Sequence, residues 1–78
     1  MDIDSEVIKK NICFVLPTYN EDGNIENTIE NILVEEKKQN KYVFTVLVVD
    51  DNSTDHTQPI VRRIIESKDN IHLVTGEK

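Results

Sequence analysis

The 78-residue sequence has one cysteine, no long apolar run and fewer bases than acids. A single cysteine, Cys13, excludes an internal disulfide framework and a cysteine-rich zinc site. Because Cys13 lies inside an apolar run, we expect a buried, unreactive thiol. No stretch approaches the ~18 apolar residues of a membrane span. The net charge of -6 argues against nucleic-acid binding, so no nucleic acid is expected as a partner.

The start of the chain is polar and acidic. We predict that residues 1–10 are disordered or frayed, which assigns the folded part to residues 11–78. The first six residues lack the positively charged start of a signal peptide, and this predicts a cytoplasmic protein.

Hydrophobic periodicity predicts an α/β fold in the order β-α-β-α-β. The three predicted strands cover residues 12–16, 44–49 and 71–74, with Pro17 ending the first of them. The first two strands are apolar on both faces, which is typical of strands that are covered on both sides in a parallel sheet.

Two amphipathic stripes predict the helices between the strands. Asp22 or Asn24 is expected to cap the first helix, which should fade near residues 38–40. A cap at Asp55 would make Pro59 the fourth residue of the second helix, where its missing N–H costs no helical hydrogen bond.

Right-handed crossovers and a strand order of 3-2-1 would place both helices on one face of the sheet. The other face would then be bare, although its residues are mostly apolar. We therefore predict that this sequence is the start of a larger domain. We also expect the isolated chain to associate with itself through the uncovered sheet face.

The chain is organised around residues 46–55, which read VLVVDDNSTD. An apolar strand runs into Asp50 and Asp51 and then into residues that favour turns. Ligands of open α/β sheets bind beyond the carboxyl ends of the strands. Acceptors there suit ribose hydroxyls, a base N–H or a metal ion that carries phosphates. The alternative is that Asp51 or Asp55 merely caps the next helix.

Two sequence motifs that follow each other along the chain suggest a protein family. Residues 15–21 read VLPTYNE, followed by Asn24 and Ile25, and residues 48–57 read VVDDNSTDHT. This pairing resembles the family 2 glycosyltransferases of the GT-A fold, most closely the dolichyl-phosphate mannose synthases and related polyprenyl-phosphate glycosyltransferases. The resemblance covers nearly all of residues 12–78. It implies that the β-α-β-α-β unit is the Rossmann-like, nucleotide-binding part of an incomplete GT-A domain.

The resemblance also implies which residues contact the donor nucleotide: Pro17, Tyr19, Glu21, Val48, Asp50 and Asp51. Tyr19 could form an apolar wall, and Glu21 and Asp50 could accept hydrogen bonds from ribose or base. The alternatives are that Tyr19 is a packed loop aromatic and that Glu21 is a first-turn helix acid favoured by the macrodipole.

For the full-length protein, the resemblance implies an inverting hexosyltransferase at the cytoplasmic face of a membrane. It would move a sugar, with mannose favoured, from a nucleotide diphosphate donor to a polyprenyl (dolichyl) phosphate. GDP-mannose is the favoured donor and a UDP-sugar the alternative. Mg²⁺ or Mn²⁺ is expected as cofactor, with its Asp-x-Asp ligands beyond residue 78. Neither catalytic residues nor metal ligands are expected within this chain, and the fragment alone should be inactive.

The sequence departs from the family pattern at Asn52 and His56, where many members have glycine. Asn tolerates a positive φ, so the turn at Asn52 can survive. Two other hypotheses stay open at this point. One is a receiver-type phosphorylation switch, whose first strand also ends in an acidic pair, and the other is a non-catalytic nucleotide-sugar-binding module.

Overall fold

The computed structural model describes residues 9–76. It contains five elements in the order that the sequence predicts: β1 (Lys10–Thr18), α1 (Ile25–Lys37), β2 (Tyr42–Asp50), α2 (Thr57–Ser67) and β3 (Ile71–Thr75). The fold is therefore an α/β, Rossmann-like arrangement, as expected.

The three strands form one parallel sheet in the order β1-β2-β3, with β2 in the centre. The register pairs Thr18 with Asp50 and Asp50 with Thr75, so the strands end level with one another. The loops that follow β1 and β2 therefore leave the sheet side by side. We call this end of the sheet the carboxyl edge.

Strand β1 is longer at both ends than the sequence predicts. It continues through Pro17 to Thr18, so the prediction that Pro17 ends the strand is wrong. Proline is tolerated here because β1 is an edge strand within the described sheet, and an edge position does not require every ladder donor. The strand also starts at Lys10, inside the stretch predicted to be frayed. Residues 1–8 lie outside the described residues.

The helix starts differ from the predicted caps. Asn24 is the N-cap residue of α1, but its side chain makes no capping hydrogen bond. Helix α2 has His56 as its N-cap residue, so Pro59 is the third helical residue rather than the fourth. This position remains compatible with proline, because the first four N–H groups of a helix have no partner within it.

The core lies on one face of the sheet, beneath both helices. Its buried members come from both helices and from the inward positions of the central and third strands: Ile25, Ile29, Val46, Val48, Val61 and Ile71. The two helices also contact each other. This arrangement confirms the prediction that both helices lie on the same face.

The opposite sheet face carries apolar side chains that nothing within residues 9–76 covers. Val15, Val49 and Val74 are 56%, 37% and 50% exposed. Cys13 is also exposed, so the expectation of a buried thiol is wrong. The reason is the two-residue period of a strand: Cys13 points away from the helices with Val15, while Phe14 packs against the core.

Self-association through this uncovered face remains a prediction. We expect the 78-residue chain to form dimers or larger species in sedimentation velocity experiments, because burying apolar area is favourable by about 25 cal/mol per Å². Val49→Lys and Val74→Lys should shift the chain towards monomer. Val34→Lys is the control, since Val34 is as exposed as Val74 but lies on helix α1. A wild-type chain that stays monomeric at high concentration would contradict the prediction.

Candidate functional site

Backbone hydrogen bonds tie the three chain segments together at the carboxyl edge. The N–H of Asp51 donates to the carbonyl of Thr18 at 2.9 Å, and the N–H of Gly76 donates to the carbonyl of Asp50 at 2.9 Å. The β1–α1 loop (residues 19–24) and the β2–α2 loop (residues 51–56) thus start from fixed points. Any ligand bound beyond the strand ends would contact these loops.

Asp50 is fully buried at this edge, and its carboxylate accepts four hydrogen bonds from the protein. The hydroxyls of Thr18 and Ser53 donate to Oδ1. The N–H of Ser53 and the side-chain amide of Gln58 donate to Oδ2, at 2.8 and 2.7 Å. A carboxylate offers about four lone-pair sites, so these donors occupy all of them.

The same contacts set the charge of Asp50. Burial alone raises the pKa of the carboxyl, but the hydrogen bonds from Ser53, Gln58 and Thr18 outweigh it and lower the pKa from 3.8 to about 2. Asp50 is therefore a buried carboxylate that joins β1, β2 and α2. The structure leaves it no free acceptor for a nucleotide, which does not support the predicted direct contact through this side chain.

Val48, the other predicted nucleotide contact on β2, is also buried. Its side chain is 0% exposed and packs in the core beneath the helices. Alternate residues of a strand point to the same face, so Val48 and Asp50 both point towards the helix layer. The structure therefore does not bring the side chain of Val48 to the site.

The other predicted residues are accessible. Tyr19 is 58% exposed, and Glu21, Asp51 and Pro17 are exposed as well. Tyr19 is thus not a packed loop aromatic, and Glu21 precedes α1 instead of lying in its first turn. The backbone carbonyl of Glu21 accepts from the N–H groups of Asn24 at 2.9 Å and Ile25 at 2.8 Å, so the backbone of Glu21 is joined to the start of α1.

A shallow cavity adjoins these residues at the outer side of β1. It is lined by the end of β1, the loop and the first turn of α1: Leu16, Pro17, Thr18, Glu21, Asn24, Ile25 and Thr28. Pro17 and Glu21 therefore belong to one concave surface. Asp51 lies on the neighbouring loop, bonded through its N–H to Thr18.

The β2–α2 loop contains the turn expected at Asn52. Asn52 has φ 57°, a left-handed conformation that asparagine tolerates better than most residues. Asp55, not Asp51, supports the start of α2, because its Oδ1 accepts from the N–H of Thr57 at 2.9 Å. Burial raises the pKa of Asp55, but the hydrogen bonds from Thr57 and from the N–H of Asp22 outweigh it, so its pKa is lowered.

Sequence reasoning missed the residues that hold the carboxyl edge together. Thr18, Ser53 and Gln58 bind Asp50, and Asn20 joins the two loops. The signal for Thr18 was present, since parallel strands of similar length pair their last residues. No sequence signal indicated Gln58, because the distance from its side chain to Asp50 depends on the residue at which α2 begins.

Within residues 9–76, no three His, Cys, Asp or Glu side chains come together in a way that could hold a metal ion. The carboxylate of Asp50 is already saturated by protein donors. In the same range, neither helix is long and apolar enough to cross a membrane.

Comparison with known proteins identifies the family of the chain. The model of the family described as "Glycosyl transferase family 2" matches residues 13–78. The chain is 33% identical over 67 residues to a dolichyl-phosphate beta-glucosyltransferase, ALG5D, of Trichomonas vaginalis, a match that covers 81% of this chain and 20% of that protein. The chain thus spans about a fifth of its relative's length. No solved structure matches the chain significantly.

The family match covers both loops of the carboxyl edge and all of the elements around them except the first three residues of β1. A receiver domain opens with the strand that ends in the acidic pair, whereas here that strand is β2, with a β-α unit before it. The carboxylate of Asp50, the first aspartate of the acidic pair, already accepts four hydrogen bonds from the protein. The chain belongs to glycosyl transferase family 2.

Proposed function

We propose that this chain is the donor-nucleotide-binding part of an enzyme that transfers a sugar from a nucleotide diphosphate to a polyprenyl phosphate. The family match and the name of the Trichomonas relative support the reaction class. The observation that carries the assignment is the carboxyl edge, where accessible Tyr19, Glu21 and Asp51 stand on loops that Asp50 holds in place.

Asp51 and Glu21 would take the role first predicted for Asp50. Both are exposed carboxylates on neighbouring loops, and a carboxylate accepts hydrogen bonds from ribose hydroxyls or from a base N–H. Tyr19 would offer its ring as a wall for the base or ribose. Pro17 would shape the concave surface beside Glu21. Val48 would act only from the core, by supporting the strand that ends in Asp50.

The proposed transfer is a single displacement with inversion. An oxygen of the acceptor phosphate attacks the anomeric carbon of the sugar, the bond from that carbon to the nucleotide diphosphate breaks, and the diphosphate leaves with the electron pair. The acceptor phosphate is already anionic at neutral pH, so the step needs no strong general base. Because a polyprenyl tail resides in a membrane, we place the reaction at its cytoplasmic face.

The sugar and base of the donor are part of the proposal. The family resemblance favours mannose from GDP-mannose, whereas the name of the Trichomonas protein specifies glucose. We therefore propose a hexose and keep both donors in the test. When bound, the divalent ion that the family resemblance implies, Mg²⁺ or Mn²⁺, would supply a positive charge opposite the departing diphosphate.

The test uses the full-length protein with radiolabelled GDP-mannose or UDP-glucose and dolichyl phosphate. We expect transfer with one of the two donors. Asp51→Asn should raise the KM for that donor about tenfold and leave kcat nearly unchanged, because it weakens one hydrogen bond made in both ground and transition states.

Asp69→Asn is the matched control, since Asp69 is an exposed aspartate just before β3, at the opposite end of the sheet. Its donor KM should equal that of the wild type. Donor binding without transfer to any polyprenyl phosphate would identify a non-catalytic nucleotide-sugar-binding module. An unchanged KM for Asp51→Asn would remove Asp51 from the donor site.

A further inference from the structure

Asn20 joins the two loops of the carboxyl edge. Its backbone is left-handed, with φ 53°, and its N–H donates to the hydroxyl of Ser53 at 2.8 Å. Its side-chain Oδ1 accepts from the N–H groups of Thr54 at 2.9 Å and Asp55 at 3.3 Å. One residue of the first loop therefore binds three consecutive residues of the second.

The next two residues of the first loop continue these contacts. The N–H of Glu21 donates to the hydroxyl of Thr57 at 2.8 Å, and the N–H of Asp22 donates to Oδ2 of Asp55 at 3.1 Å. In the other direction, Oδ2 of Asp22 accepts from the N–H of His56 at 3.2 Å. We call this set of contacts, made by residues 20–22 with residues 53–57, the loop clasp.

The loop clasp lies between the residues assigned to the donor. Tyr19 and Glu21 flank Asn20 directly, and Asp51 precedes Ser53 by two residues. The side-chain oxygen of Asn20 accepts two hydrogen bonds from the second loop, which occupy both of its lone pairs. This atom therefore has no lone pair left for the donor nucleotide. Its contacts instead join the backbone between Tyr19 and Glu21 to the loop that follows Asp51.

We propose that Asn20 is a positioning residue, which sets donor affinity by holding Tyr19 and Glu21 opposite Asp51. The inference rests on the proposed function, since it assumes that these three residues bind the donor. It extends that function to a residue that acts through its neighbours. Small displacements of binding groups are costly, so loosening the clasp should weaken donor binding.

Three substitutions in the full-length protein separate the parts of this role. Asn20→Gly keeps the left-handed backbone and removes only the side-chain acceptor. We expect it to raise the donor KM about tenfold, with kcat at saturating donor and the KM for dolichyl phosphate unchanged. Asn20→Asp keeps an acceptor oxygen and tolerates a positive φ, so its donor KM should return to within about threefold of wild type. Asn20→Ala, which loses both features, should be the most impaired.

The inference is overturned if Asn20→Gly leaves the donor KM unchanged, or if Asn20→Asp is no better than Asn20→Gly. A general loss of folding would instead lower kcat and the kcat/KM values for both the donor and dolichyl phosphate by the same factor. This result too would exclude a positioning role. The Asp51→Asn variant distinguishes a failure of the proposed donor site from a failure of the role proposed for Asn20. If it raises the donor KM while Asn20→Gly does not, only the inference about Asn20 fails. If neither variant changes the donor KM, the proposed donor site itself is wrong.

Discussion

Asp50→Ala should lower the free energy of unfolding by about 3 kcal/mol or more. The substitution leaves the hydroxyls of Thr18 and Ser53, the N–H of Ser53 and the amide of Gln58 without their acceptor. Thr18 is buried, while Ser53 and Gln58 are half-buried. A buried donor that loses its partner costs roughly 1–3 kcal/mol, and water that reaches the half-buried donors would recover part of their cost. A domain of this size is stable by only about 4–12 kcal/mol, so the loss is a large fraction of the total.

Urea unfolding of the wild type and the variant, followed by circular dichroism, measures this loss. The control is Asp51→Ala, because Asp51 is the adjacent residue in the chain but is exposed. Its free energy of unfolding should stay within about 0.5 kcal/mol of wild type. If Asp50→Ala were as stable as Asp51→Ala and raised the donor KM instead, Asp50 would contact the donor directly, as first predicted from the sequence.

The elements and their order were predictable because the hydrophobic patterns of the chain are strong. The apolar runs at residues 12–16 and 44–49 and the stripe beginning at Ile25 each correspond to one element of the structure. The boundaries were less predictable. Pro17 reads as a strand breaker, yet it lies within β1 because an edge strand need not use every backbone donor.

The location of the candidate site was also predictable, but the role of its central residue was not. Asp50 and Asp51 look equivalent in the sequence, and the two-residue period of a strand says only that they point to opposite faces. Which of them meets donors from the protein depends on Thr18 and Gln58, which are 32 and 8 residues away along the chain. Such contacts require the packed structure, and for this reason the internal hydrogen bonds of Asp50 could not be predicted from the sequence.

The stability of the fold should also depend on pH through Asp50. Its pKa of about 2 in the folded chain lies below the ordinary value of 3.8, so the unfolded state binds more protons between these values. Stability therefore rises with pH in this range. The contribution is fully present above about pH 5 and is lost as the pH falls through 3.8 towards 2. With 1.36 kcal/mol per pKa unit, it amounts to about 2 kcal/mol.

Two measurements check this dependence. A carbon-detected NMR titration of the wild type should give a midpoint for the Asp50 carboxyl near 2, well below 3.8. In urea unfolding, the free-energy difference between wild type and Asp50→Asn should shrink as the pH is lowered from 5 to 2, because Asn does not titrate. Taking this difference cancels the contribution of Asp55, whose pKa is also lowered. A midpoint at or above 3.8 would mean that the four donors do not hold Asp50 as a carboxylate, and its role in fixing the carboxyl edge would have to be abandoned.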